Sequence, residues 1–254
     1  MIDMIVYAGL LASDEVVMLP ILLIGYIWFH APLFYRITVV LMIGLILNMV
    51  CKVTFQIPLN PALGKVGFAF PSSHMQSAMI LYGAIYQHYR VRWLGLCVLL
   101  ILCLVAFAEH YMGYHTPRDL LAGAVVAWWL LSFPYSVLLY RYSAYIIWAL
   151  VTLALGYIHF QLGIPYHVWM AYGVALGMVV AHTCLPPRAD LGWWQQVLAA
   201  LLSVGLFMWF SGYHTDITLL PWFGCGAILP CTRFFVGRLP FVQGICSTYY
   251  EGSE

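Results

Sequence analysis

Three short patterns in this chain gather residue types that can move a phosphoryl group. The first is Lys52, followed by Phe55 and Pro58. The second is Pro71-Ser72-Ser73-His74. The third runs Glu109-His110-Tyr111-Met112-Gly113-Tyr114-His115-Thr116-Pro117-Arg118-Asp119. Asp119 follows His115 by four residues, a spacing that lets a carboxylate reach an imidazole across one helical turn. A carboxylate on Nδ1 fixes the tautomer and leaves Nε2 free as a nucleophile. His74 is then the candidate acid for a leaving oxygen, and Lys52 a point charge for the phosphoryl group. Thr116-Pro117 reads as a helix start, with Thr as N-cap and Pro at the first helical position. Ser72 or Ser73 caps an earlier helix in the same way. Two helix N-termini at one place would offer free N–H groups to an oxyanion. Taken singly, each pattern has a plainer explanation. A Lys at a helix end snorkels to the interface, a capping Ser beside an interfacial His is ordinary, and so is a surface His–Asp pair. The joint occurrence carries the case.

The elements that must position these residues follow from composition. Of 254 residues, 64% are hydrophobic and 7% charged, with ten basic and nine acidic side chains. A soluble domain is about a quarter charged, so a cytosolic enzyme, a secreted disulfide scaffold, a disordered chain and a nucleic-acid binder are all excluded. The expectation is an all-α polytopic bundle of about 8–9 spans. The stretches run roughly 14–30, 33–55, 72–89, 93–112, 117–140, 143–161, 166–184, 192–211 and 216–237. The division expected is an interfacial segment 1–13, a catalytic core 14–140 and additional membrane helices 141–254. The connection 56–71, with three prolines and two glycines, is long and irregular, which marks function. The seven cysteines show no C-x-x-C pairing and read as small core residues.

Counting spans places Lys52, Lys65 and Arg118 on one side, and Arg36, Arg90, Arg92, Arg141, Arg188, Arg233 and Arg238 on the other. Seven against three puts the second side in the cytoplasm. The 40 residues between His74 and His115 accommodate two spans and a turn, so both histidines return to the outer face.

The patterns resemble the type-2 phosphatidic acid phosphatase superfamily, whose members include membrane lipid phosphatases, glucose-6-phosphatase and vanadium haloperoxidases. Its signatures are K-x6-R-P, P-S-G-H and S-R-x5-H-x3-D. The matching residues are Lys52, then Pro71, Ser72 and His74, then Gly113, His115 and Asp119, within a resemblance over about residues 14–140. The resemblance implies His115 as the nucleophile forming a phosphohistidine, Asp119 as its orienter and His74 as the acid. Lys52 and Ser72, with Ser73 beside it, would hold phosphoryl oxygens. It also implies hydrolysis without a metal or other cofactor, a lipid phosphate substrate and an inner-membrane enzyme whose site faces the periplasm. The departures are Leu59-Asn60 for Arg-Pro, Ser73 for Gly, and Ala108-Glu109 for Ser-Arg.

Losing both arginines removes bidentate phosphate recognition, which leaves three explanations. Arg118 or Lys65 fills the role from another direction. Or Glu109, with His110 beside it, sets specificity for a cationic headgroup, as in a zwitterionic phosphodiester that is cleaved or transferred. Or the chain is an inactive lipid-binding relative. A different class is an outer-face metal site drawn from Glu109, His110, His115, His159, His167, His214 and Asp216, although no metal-binding helix spacing supports it. A transporter is poorly supported, because Asn48, Gln76 and Ser77 are the main mid-span polar residues. The last third carries the pair Gly173-x-x-x-Gly177, a small-residue packing pattern. That part shapes the lipid entrance, adds histidines to the pocket or forms a homodimer face.

Overall fold

The computed structural model describes residues 1–64, 66–133, 141–185, 191–211 and 219–238. These residues form ten helices: α1 Ile2–Ala12, α2 Glu15–Ile24, α3 Ala31–Phe55, α4 Ser73–Tyr89, α5 Arg92–Tyr111, α6 Pro117–Ser132, α7 Arg141–Leu162, α8 Tyr166–Cys184, α9 Trp193–Ser211 and α10 Leu219–Val236. A π-helical turn, Gly25–Phe29, continues α2. Among the described residues no strand forms, only a single bridge between Pro58 and Phe68. The all-helical class expected from composition is therefore the class observed.

Each of the nine expected stretches contains a helix. By length and apolar composition, α3, α5 and α8 are candidate membrane spans among the described residues. A fourth is added if α1 and the α2 run, bent by 49°, count as one broken span. For two of the expected stretches the difference has a physical reason. Helix α4 has 17 residues and α6 has 16, below the ~20 that a span needs. Polar residues at the start of α4, including His74 and Gln76, further lower its apolar character. The expected segment 1–13 contains α1, which lies along α5. A Cβ on Gly9 would meet the Leu104 carbonyl oxygen at 2.6 Å, so glycine permits this approach.

Helix α3 is the hub, packing against α4, α7 and α8. Its apolar residues are buried around most of its circumference, as expected of a helix enclosed on several sides. Two buried polar side chains pin α4 to it. Asn48 donates through Nδ2 to Gln76 Oε1 at 2.9 Å and to the Pro71 carbonyl at 3.3 Å. Gln76 donates in turn to the Gly44 carbonyl at 2.7 Å. Asn48 and Gln76 are two of the three mid-span polar residues that a transporter would expose to solute; here both are buried and bonded to each other and to backbone carbonyls.

Helices α4 and α6 approach closely at their N-termini. Ser72 N–H donates to the Asp119 carbonyl at 3.0 Å. A Cβ on Gly123 would lie 2.5 Å from the Ser72 carbonyl oxygen. The pair α8 and α10 uses the same device, with Gly177 against the Phe223 carbonyl and Gly226 against that of Val174. Gly177 of the expected small-residue pair thus packs within the chain.

Candidate active site

The local fold brings Glu109 and His115 together. Helix α5 ends in a turn through Gly113, whose φ of +70° lies in the left-handed region that glycine adopts without strain. Gly113 N–H donates to the His110 carbonyl at 3.0 Å. Tyr114 and His115 N–H both point back to the Glu109 carbonyl, at 3.0 and 3.4 Å. The chain therefore curls over the end of α5 and returns the His115 side chain to Glu109. Helix α6 then starts as expected from Thr116-Pro117. Asp119 Oδ2 accepts from Thr116 N–H at 2.7 Å and from Thr116 Oγ1 at 2.9 Å. This reciprocal cap satisfies donors that a helix start leaves open.

At the centre stands Glu109, fully buried. Its Oε1 lies 3.2 Å from His74 Nδ1 and its Oε2 lies 3.4 Å from His115 Nε2. Neither carboxylate oxygen completes a hydrogen bond of good geometry. His115 is buried at 8% exposure, whereas the His74 side chain is 48% exposed. His74 therefore forms the open side. Asp119 Oδ2 lies 3.9 Å from His115 Nδ1, at the limit of an ion pair and beyond a hydrogen bond. His115 Nδ1 completes no hydrogen bond. Asp119 thus sits in the expected position but spends its oxygen on the helix cap. Lys52, half-buried at the end of α3, interacts electrostatically with both Glu109 and Asp119.

Burial pushes His115 below the ordinary histidine value of 6.5. Glu109 and Asp119 oppose the shift, while Lys52 and His74 add to it. The imidazole is therefore neutral at pH 7, the state a nucleophile needs.

The other expected residues divide into two groups. Ser72 is fully buried and its Oγ caps α4 by accepting from Met75 N–H at 3.3 Å. Ser73 is half-buried at the first position of α4, and Arg118 is exposed near the start of α6. His110 is exposed, with Nδ1 3.2 Å from the His115 carbonyl. Lys65, His214 and Asp216 lie outside the described residues. Of the histidines offered for a metal site, the exposed His159 on α7 and His167 on α8 stand apart from the group that forms. That group is His74, Glu109 and His115, with one ligand atom from each within 4.8 Å of the others. Sequence reasoning offered Glu109 both for a substrate headgroup and for an outer-face metal set, and it left His74 out of that set. The signal available was that positions 109 and 115 flank a tight glycine turn. Asn60 was also missed: its Nδ2 is 3.3 Å from where a Gly113 Cβ would lie, so the 56–71 loop reaches the turn beside the site.

Part of the chain is similar to a known enzyme. A lipid A 4'-phosphatase from Bacteroides thetaiotaomicron is 35% identical over 60 residues, which are 24% of this chain and 27% of that protein. The chain thus matches little more than a quarter of that relative's length. No family model matches the chain, and no solved structure matches it.

Proposed function

We propose that this chain is an integral-membrane lipid phosphatase, a divergent relative of the type-2 phosphatidic acid phosphatases. The observation that carries this reading is the convergence of His74 and the buried His115 where α4 and α6 begin, with Lys52 in electrostatic range of the site. The partial likeness to a lipid A 4'-phosphatase supports the same class. In this reading all nine apolar stretches contribute to a bundle of 8–9 spans, with the site at the outer interface of an inner membrane.

The proposed reaction proceeds in two steps without a metal. His115 Nε2 attacks phosphorus, a P–N bond forms and the ester P–O bond breaks. His74 gives its proton to the departing lipid oxygen. Water then attacks the phosphohistidine, His74 takes a proton from that water, and phosphate leaves as the P–N bond breaks. Lys52 offsets charge on the phosphoryl group. Glu109 Oε2 stands 3.4 Å from Nε2, the atom that must face phosphorus. The reactive arrangement therefore needs this carboxylate swung aside toward Lys52. The zwitterionic-diester reading has less support, because Glu109 is fully buried against two imidazoles instead of facing an entrance.

The test is phosphate and headgroup release by purified protein from phosphatidate, a prenyl pyrophosphate, lipid A and a zwitterionic diester. Phosphate release from a phosphomonoester or pyrophosphate should fall by more than about a thousandfold in His115→Ala. Equal activity of the two proteins would overturn the mechanism.

A further inference from the structure

A fully buried carboxylate between two histidines is a poor receptor for an anion. It repels a phosphoryl group, and burying its charge without good hydrogen bonds is costly. The same three groups suit a cation. Glu109 presents one oxygen to each imidazole, at 3.2 and 3.4 Å. Donors on a tetrahedral ion with bonds of about 2.0–2.1 Å lie roughly 3.4 Å apart. The ligand atoms of all three residues fall within 4.8 Å of one another, so small side-chain shifts would close the set. Two imidazoles and one carboxylate select a borderline transition ion such as zinc over magnesium or calcium, which prefer oxygen donors. Asp119, 3.9 Å from His115 Nδ1, stands where an outer carboxylate supports a ligating imidazole. The half-exposed His74 leaves a route for the ion to enter.

We infer that His74 Nδ1, the Glu109 carboxylate and His115 Nε2 form a binding site for a zinc-class divalent ion. A bound dication takes the place of the proton that His74 carries in the proposed reaction, and it stands between the carboxylate and both imidazoles. It also occupies the Nε2 lone pair. Resting on the phosphohistidine reading, the ion is an inhibitor: coordination and attack on phosphorus use the same electron pair.

The experiment is zinc titration of the detergent-purified full chain after chelator treatment, with bound metal counted by elemental analysis and the melting temperature followed. One ion per chain should bind, with a raised Tm. Glu109→Gln and His74→Ala should each weaken binding by more than about tenfold, and His159→Ala should not. Glu109→Gln keeps the side-chain volume, and its metal-free melting curve reports whether it folds. Absence of stoichiometric binding, or equal binding by folded Glu109→Gln, overturns the site. Phosphate release measured in parallel should fall as zinc saturates; full turnover by the zinc-loaded protein overturns the inhibition. The binding readout needs no turnover. A protein that binds zinc through Glu109 yet releases no phosphate from any metal-free substrate keeps the site and refutes the phosphatase reading.

Discussion

His115 works under two opposing influences. Burial disfavours its charged form, and the carboxylates of Glu109 and Asp119 favour it, with burial the larger effect. Its folded value lies below 6.5, so the neutral imidazole survives into mildly acidic solution. The sign for catalysis follows: nucleophilic capacity is complete above the lowered value and is lost as pH falls through it. The acid limb of kcat/KM reports an essential base in the free enzyme. For phosphate release its midpoint should lie below 6.5. A midpoint above that would mean that Glu109 and Asp119 outweigh burial. At this scale the sequence made legible that Lys52, His74 and His115 come near one another. It was less legible for Asp119, whose spacing from His115 is equally the spacing of a helix cap, and the cap takes its Oδ2. Glu109 could not be placed from sequence, because its partners depend on how the chain curls through Gly113.

At the scale of elements, the site depends on the junction of α4 and α6. Ser72 N–H bonds to the Asp119 carbonyl, and the Gly123 backbone lies against the Ser72 carbonyl. This contact sets the distance between the helix carrying His74 and the turn carrying His115. Gly123→Ala would place a methyl group 2.5 Å from a backbone oxygen, and backbone cannot rotate away as a flexible side chain can. Overpacking of this kind costs about 1–3 kcal/mol. A detergent melting curve should shift down accordingly, with phosphate release reduced because His74 is displaced from His115. An unchanged melt and activity would show that the junction is not rigid. The helix starts were readable in advance from Ser72, Thr116 and Pro117, since capping chemistry is local. The closeness of α4 to α6 was not, because Gly123 offers no signal until a carbonyl is seen against it.

For the whole molecule, the proposed orientation rests on charge, and the structure changes what two of the charges mean. Arg233 is buried and donates through Nη1 to the Tyr26 and Ile27 carbonyls at 2.8 and 3.1 Å. Arg36 donates through Nη2 to the Leu131 and Phe133 carbonyls at 3.2 and 2.9 Å, near the end of α6. Both tie helix ends together, a use that a count along the sequence cannot distinguish from a loop charge. Removing these two from the seven leaves five basic residues against three, a narrower bias under the positive-inside rule. Labelling can decide the side. In a background without the seven native cysteines, Arg118→Cys and Arg92→Cys place a thiol at two exposed positions near opposite ends of α5. With the site facing outward, a membrane-impermeant maleimide should label position 118 in spheroplasts with an intact inner membrane. It should label position 92 only after that membrane is permeabilised. The reverse pattern would put His115 in the cytoplasm and exclude substrates confined to the outer leaflet.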